Sequence, residues 1–344
     1  MSSAPIIEYR QLGKSGLRVS VPIIGAMSYG DSRWSPWVLD AASAIPILKA
    51  AWDLGINTID TANGYSNGAS ERVIAKFIKE FKIPRNQIVI ATKCYGLVLS
   101  DPTKRSVNFP GLDKLPEYVN QSGLSRTAIF NAVNASLTRL ETSYIDLLQI
   151  HRFDSKVPPE EIMKALHDLV QSGKVRYIGA SSMRCWQFAL LNEVADKNGW
   201  TKFVSMQNEY SLLYREEERE MLAYCKYHGI GVIPWAPLAA GLLARPIGTE
   251  TTRAVSRVGT SSEFKNSEAD KIIISRVEEI AKAKGWKMGQ VALTWAGSKI
   301  TSPIVGINSI ERLKESIVTG YELTPEEARS LEEPYEPKPV RGHA

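Results

Sequence analysis

Eight short apolar runs alternate with helical patterns along this chain, and that alternation limits the folds open to it. The runs lie at residues 22–25, 57–60, 88–92, 145–150, 175–179, 203–206, 231–234 and 303–305. Short stretches of apolar and β-branched residues without a polar face read as strands buried on both sides, the signature of a parallel sheet. Between them run helical stripes such as Val73, Ile74, Phe77 and Ile78; Ile129, Val133, Leu137 and Leu140; and Ile162, Leu166, Leu169 and Val170. Eight strands alternating with helices predict an α/β fold, a (β/α)8 barrel of the TIM type. The opening stretch has two extended runs around Lys14, Ser15 and Gly16, which reads as a β-hairpin plugging the barrel.

At 344 residues the chain is long enough for two average domains, but such barrels often run long as one unit, and 1–344 is read as a single domain. Two connections are long, 94–123 after the third strand and 236–266 after the seventh. Both leave the face where a barrel carries its active site. The tail from Pro334 through Gly342 reads as coil. Lys plus Arg less Asp plus Glu is 42 − 37 = +5, without a dense basic run, which favours small anionic ligands over nucleic acid. Cys94, Cys185 and Cys225 are too few and too scattered for a disulfide framework or a zinc site, and no metal is expected. The N-terminus lacks a signal-peptide layout, and the most apolar stretch, 229–244, is interrupted by Pro234 and Pro237 and is too short to span a membrane. A cytoplasmic protein is the simplest expectation. Composition fixes no oligomeric state.

Three strand runs end in different reactive side chains: Asp60, Lys93 and His151, with Tyr65 five positions after Asp60 across a turn. In a parallel barrel these groups gather at one rim. Together they suggest proton transfer rather than a nucleophile. A free phenol has a pKa near 10 and keeps its proton at neutral pH. An adjacent ammonium favours the phenolate, which makes Tyr65 beside Lys93 a candidate general acid. Asp60 would hold Lys93 charged, and His151 would orient a substrate carbonyl. The competing reading is structural: Asp60 and Lys93 as a buried ion pair joining two strands, and His151 as an ordinary strand-end histidine.

With the motifs NTIDTANGYSNGASE, IVIATK, LLQIHRFD, IGASSM, MQNEY, IPWAPLAAGLL and IVGINSIERLKES spread in order over nearly the whole length, the chain resembles the aldo-keto reductases. Its opening QLGKSGLRVSV and GAMSYG are similar to those of fungal members such as versiconal hemiacetal acetate reductase and aryl-alcohol dehydrogenases. The resemblance implies NADPH as cofactor and hydride transfer to an aldehyde or ketone, with Asp60, Tyr65, Lys93 and His151 as the catalytic four. It assigns Ser181, Ser182 and Gln207 to the carboxamide and Trp235 to the nicotinamide ring. Leu238 and Gly241 would offer backbone groups to the pyrophosphate, where Ala236 replaces the family's usual serine. Asn308, Ser309 and Glu311 read as a capped helix start, which presents free N–H groups to an anion. Arg312 adds a guanidinium there. By resemblance the adenosine 2′-phosphate sits at this point, with Glu315 and Ser316 against the adenine. The plain alternative is a capped surface helix.

Tyr29, Trp34, Tyr95, Arg152 and Phe153 are expected near the rim, where they would wall a pocket for a small-molecule carbonyl substrate. A Rossmann domain is disfavoured, since no G-x-G-x-x-G follows a strand. Two other functions compete with a reductase. One is an NADP(H)-binding regulatory or redox-sensing subunit with slow turnover. The other is a two-carboxylate glycosidase, for which Asp60 finds no second strand-end acid.

Overall fold

A computed structural model describes residues 7–249 and 266–343; the part of the second long loop at 250–265 lies outside them. A two-stranded hairpin comes first, β1 (Glu8–Gln11) and β2 (Arg18–Val21), paired antiparallel. Eight strands follow: β3 (Ile23–Gly25), β4 (Thr58–Asp60), β5 (Val89–Cys94), β6 (Ile145–Ile150), β7 (Val175–Ser181), β8 (Ser205–Gln207), β9 (Gly231–Val232) and β10 (Ile304–Gly306). They form one parallel sheet in the order β10-β3-β4-β5-β6-β7-β8-β9. Thr301 N and Ile304 N donate to the carbonyls of Val232 and Pro234 at 2.9 Å each, which joins its two ends. This is the barrel expected from the alternation of strands and helices. Its strands differ from the sequence reading by one or two residues at several ends, so Lys93, Ser181 and Gln207 lie inside strands.

The helices wrap the sheet with their apolar stripes inward. On α1 (Ala41–Asp53), Ile45, Ile47, Leu48 and Ala51 are buried; on α2 (Ala69–Glu80), Val73, Ile74 and Phe77. On α3 (Arg126–Leu140) and α4 (Pro159–Gln171), Ile129, Val133, Ile162, Leu166 and Leu169 do the same. The expected stripes hold, with Ile78, Leu137 and Val170 only partly buried at their edges. The later helices are α5 (Cys185–Lys197), α6 (Met221–His228), α7 (Glu268–Lys284), α8 (Met288–Gly297), α9 (Ile310–Glu315) and α10 (Pro325–Glu332).

Side chains alternate across each strand, so every second residue enters the barrel. At one end of the interior, Ile23, Ala91, Leu147, Ile233 and Ile304 pack with Leu12 and Val19 of the hairpin. The hairpin is therefore the plug that the sequence suggests, and it closes the end where the strands begin. Two residues further along the same strands, the interior becomes polar: Lys93 follows Ala91, and Gln149 follows Leu147. Gly179 makes room for this layer, since a Cβ there would lie 2.2 Å from Ser205 Oγ and 3.2 Å from Gln149 Cγ.

Candidate active site

Lys93 is the centre of the polar layer. Its side chain is enclosed, and its Nζ donates to Asp60 Oδ2 at 2.5 Å, to the Thr61 carbonyl at 2.9 Å and to the Tyr65 hydroxyl at 3.3 Å. Burial works against the charged ammonium, but Asp60 and Tyr65 outweigh it and hold the Lys93 pKa above its ordinary value. Asp60 Oδ1 in turn accepts from Gln149 Nε2 and Gln207 Nε2, both at 2.9 Å, and Gln207 also donates to Gln149 Oε1 at 2.7 Å. Three strands thus tie the carboxylate in place from across the barrel.

Tyr65 reaches this group from the turn after β4. Ser66, Asn67 and Gly68 follow it with φ of 46°, 49° and 83°, a left-handed run that bends the chain sharply into α2. Asn67 secures the bend, donating to the Asp101 and Lys104 carbonyls at 2.9 and 2.8 Å. Behind it, buried Glu71 accepts from Thr92 Oγ1 at 2.7 Å and from Arg139 Nε at 2.6 Å. Thr92 is the outward-facing neighbour of Lys93, so this ion pair fixes the turn and the lysine strand against each other. His151 follows β6, and its ring meets that of Tyr65 edge-on, with centroids 5.8 Å apart. Burial, then the charges of Lys93 and Arg152, keep the His151 pKa well below its usual range, so the imidazole is neutral at pH 7. The structure brings all four strand-end residues into one cluster.

The groups assigned to the carboxamide end gather nearby. Ser181 Oγ donates to the Gln207 carbonyl at 2.8 Å, and Trp235 Nε1 donates to Ser182 Oγ at 3.0 Å. Ser182 has φ 48°, held by its N–H donating to Asn208 Oδ1 at 2.9 Å. The C-terminal coil crosses this region. Arg341 N donates to the Tyr214 hydroxyl at 2.9 Å, and a Cβ on Gly342 would lie 3.4 Å from the Trp235 ring.

The distal end is also built from charge and backbone. Ala236, Ala239, Ala240 and Gly241 all have positive φ, between 46° and 100°. Arg245 comes next, its pKa lowered by burial and then by the positive charge of Arg312. A guanidinium pair of this kind suits an anion such as a phosphate. Ser309 is the N-cap of α9, accepting from Arg312 N at 3.2 Å, so the cap falls one residue later than an Asn308–Glu311 pairing would place it. Ser316 is buried, with its hydroxyl donating to the Leu313 carbonyl at 2.7 Å, so it turns into its own helix. Glu315 beside it is partly exposed.

The five expected pocket residues divide. Tyr29 is fully buried, and its hydroxyl donates to the Ile307 carbonyl at 2.8 Å, so it belongs to the core and walls no pocket. A tyrosine near a strand end is indistinguishable from a rim residue until its hydroxyl partner is known. Trp34 packs edge-on against Trp37 at 6.0 Å and under the Arg105 guanidinium at 4.5 Å, beneath the first long loop. Tyr95, Arg152 and Phe153 are partly buried at the ends of β5 and β6, beside His151. The sequence reading missed Gln149, Asn208 and Arg245; Gln149 bonds Asp60, 89 positions away, and Asn208 takes the Ser182 N–H, 26 positions away. The inward period of β6, in which Leu147, Gln149 and His151 alternate, was the available signal for Gln149.

The model of the aldo/keto reductase family matches residues 23–336. The chain belongs to the aldo-keto reductase family. An aldo-keto reductase of Fusarium vanettenii is 53% identical, over 98% of this chain and 94% of its own length. Versiconal hemiacetal acetate reductase of Aspergillus parasiticus is 48% identical, over 97% of this chain and 98% of its own. A protein of Schizosaccharomyces pombe assigned by name to the aryl-alcohol dehydrogenases is 51% identical, over 99% of each. This aldo-keto reductase is an oxidoreductase of a family that reduces small carbonyl compounds with a nicotinamide cofactor. Among its described residues no helix is long and apolar enough to cross a membrane, and no cluster of His, Cys, Asp or Glu is arranged to hold a metal ion.

Proposed function

We propose that this aldo-keto reductase converts an aldehyde or ketone to an alcohol with NADPH, and that Tyr65 is its general acid. The observation that carries the reading is the single ammonium of Lys93, bonded to Asp60 at 2.5 Å and to the Tyr65 hydroxyl at 3.3 Å inside a closed polar layer. When bound, the cofactor supplies hydride to the carbonyl carbon. Tyr65 then gives its proton to the developing alkoxide, and the fixed charge of Lys93 stabilises the phenolate left behind. Neutral His151 donates a ring N–H to the carbonyl oxygen and orients it toward Tyr65. Asp60 keeps Lys93 charged and in register.

The residues suit a phosphorylated nicotinamide dinucleotide at both ends. Ser182, Gln207 and Trp235 would hold the carboxamide and ring, and Arg245 and Arg312 would hold a phosphate beyond the left-handed run at 236–241. A 2′-phosphate held by these guanidiniums would favour NADPH over NADH.

Replacing Tyr65 by Phe removes the acid and little else. We expect the variant to bind NADPH with unchanged fluorescence enhancement and to lose about 10²- to 10⁴-fold in NADPH oxidation with benzaldehyde, the range of a general acid. Turnover near that of the parent protein would rule out Tyr65 as the acid.

A further inference from the structure

One charge at the mouth of the barrel has no role in proton transfer. Arg152 directly follows His151 and is partly buried, with Nη1 donating back to the His151 carbonyl at 2.6 Å. Its Nε and Nη2 engage no described residue, and no carboxylate among the described residues pairs with it. Asp154, two positions on, is already taken by the N–H groups of Leu124 and Lys156, at 2.9 and 3.0 Å. Burial works against the Arg152 charge, and the neighbours that favour it are the phenols of Tyr65 and Tyr95. Arg184 approaches the same opening: burial, then Arg184 and Arg152, push the His343 pKa down to about 4. Arg184 has the carboxyl of Glu217 in its surroundings.

A half-desolvated guanidinium without a counterion is unfavourable, and side chains of this kind are ordinarily paired. The two free nitrogens of Arg152 form a fork that matches a carboxylate in a bidentate geometry. The fork is held on the carbonyl of His151, the residue whose ring meets Tyr65. We propose that Arg152 is a specificity-determining residue, and that the substrate of this reductase is an oxo acid whose carboxylate seats on Arg152 while its carbonyl faces Tyr65. Tyr95 and Phe153, the latter edge-on to Trp186 at 6.0 Å, leave apolar surface for the rest of the molecule. This inference rests on the reductase reading above and names its substrate class.

The test compares phenylglyoxylate with its methyl ester, using NADPH and the full chain; the ester lacks the charge and has the more electrophilic ketone, so a preference for the acid has to come from binding. Benzaldehyde serves as the neutral reference. The parent protein is expected to favour the acid in kcat/KM by at least about tenfold. Arg152→Met should lower that acid-to-ester ratio about 10- to 100-fold, mainly through KM, as expected for losing a charge-assisted pair. Benzoate should inhibit benzaldehyde reduction competitively in the parent protein and much less in the variant. Arg152→Lys, which keeps the charge but loses the fork, should fall between them, and it gives the comparison if the Met variant does not fold. Equal use of acid and ester by the parent protein overturns the proposal. So does an unchanged ratio in both variants, or a loss of NADPH binding that accounts for the whole effect. Reduction of benzaldehyde without an acid preference leaves the reductase reading standing, whereas no NADPH oxidation with any of the three compounds removes that reading itself.

Discussion

Lys93 holds a charge where water cannot reach it, and it does so only because Asp60 and two glutamines complete the layer around it. Breaking a buried pair by removing one partner typically destabilises by about 3–5 kcal/mol, since the other charge is left stranded. Asp60→Asn should therefore lower stability by about that much in urea unfolding. The double variant Asp60→Asn/Lys93→Met should be less destabilised than the single, because no charge remains to be stranded. A double variant that loses the sum of both singles would show that the pair is not energetically coupled. At this scale the sequence was informative where a reactive side chain ends an apolar run, as with Asp60, Lys93 and His151. It was uninformative where a role depends on a distant partner. Gln149 bonds Asp60 across 89 positions, and Tyr29 is withdrawn from the rim by a bond to Ile307, 278 positions away.

Among the elements, the connection from β8 to α6 shows how a loop supports a site without touching substrate. Asn208 directly follows β8, accepts from Ser182 N at 2.9 Å, and donates its own amide to the carboxyl of Glu217. Burial raises the Glu217 pKa from 4.5 to about 7, with the Asn208 bond opposing the shift. A carboxyl whose folded pKa lies above its unfolded one contributes stability below the unfolded value and loses that contribution as pH rises through the folded value. The window for Glu217 thus runs from about pH 4.5 to about 7, with at most roughly 3 kcal/mol at stake for that shift. His151 has the opposite sign: its lowered pKa makes folding less favourable as pH falls below about 6.5. Comparing Glu217→Gln with the parent at each pH isolates the acid from the histidine. The variant's melting temperature should rise relative to the parent between pH 5 and pH 8. A constant difference across that range would mean that Glu217 is ionised in the folded protein throughout. Helix and strand positions were legible because their periods differ. This loop was not, because its order comes from irregular side-chain bonds, Asn208 to Glu217 within it and to Ser182 on the neighbouring strand end, which follow no repeating period.

For the molecule as a whole, the barrel separates what stabilises it from what reacts. The strands begin in an apolar layer closed by Leu12 and Val19 and end in the polar cluster around Lys93. That division was readable in outline: apolar residues open the runs, and reactive ones finish three of them. The hairpin as plug followed from its position before the first strand. The course of the C-terminal coil did not follow, because it lies against Tyr214 and the ring of Trp235, more than a hundred residues earlier. The same division gives a whole-molecule prediction. Leu12 is fully buried in the interior layer at the hairpin end, so Leu12→Ala opens a cavity there and should cost about 2–5 kcal/mol. The polar layer rests on hydrogen bonds among β4, β5, β6 and β8, none of which involves Leu12. At a temperature where the variant remains folded, kcat and the NADPH dissociation constant should stay within about twofold of the parent, while the urea midpoint falls clearly. A kcat that falls in step with stability would show instead that the plug transmits strain up the strands to Lys93, and that the two ends of the barrel act as one unit.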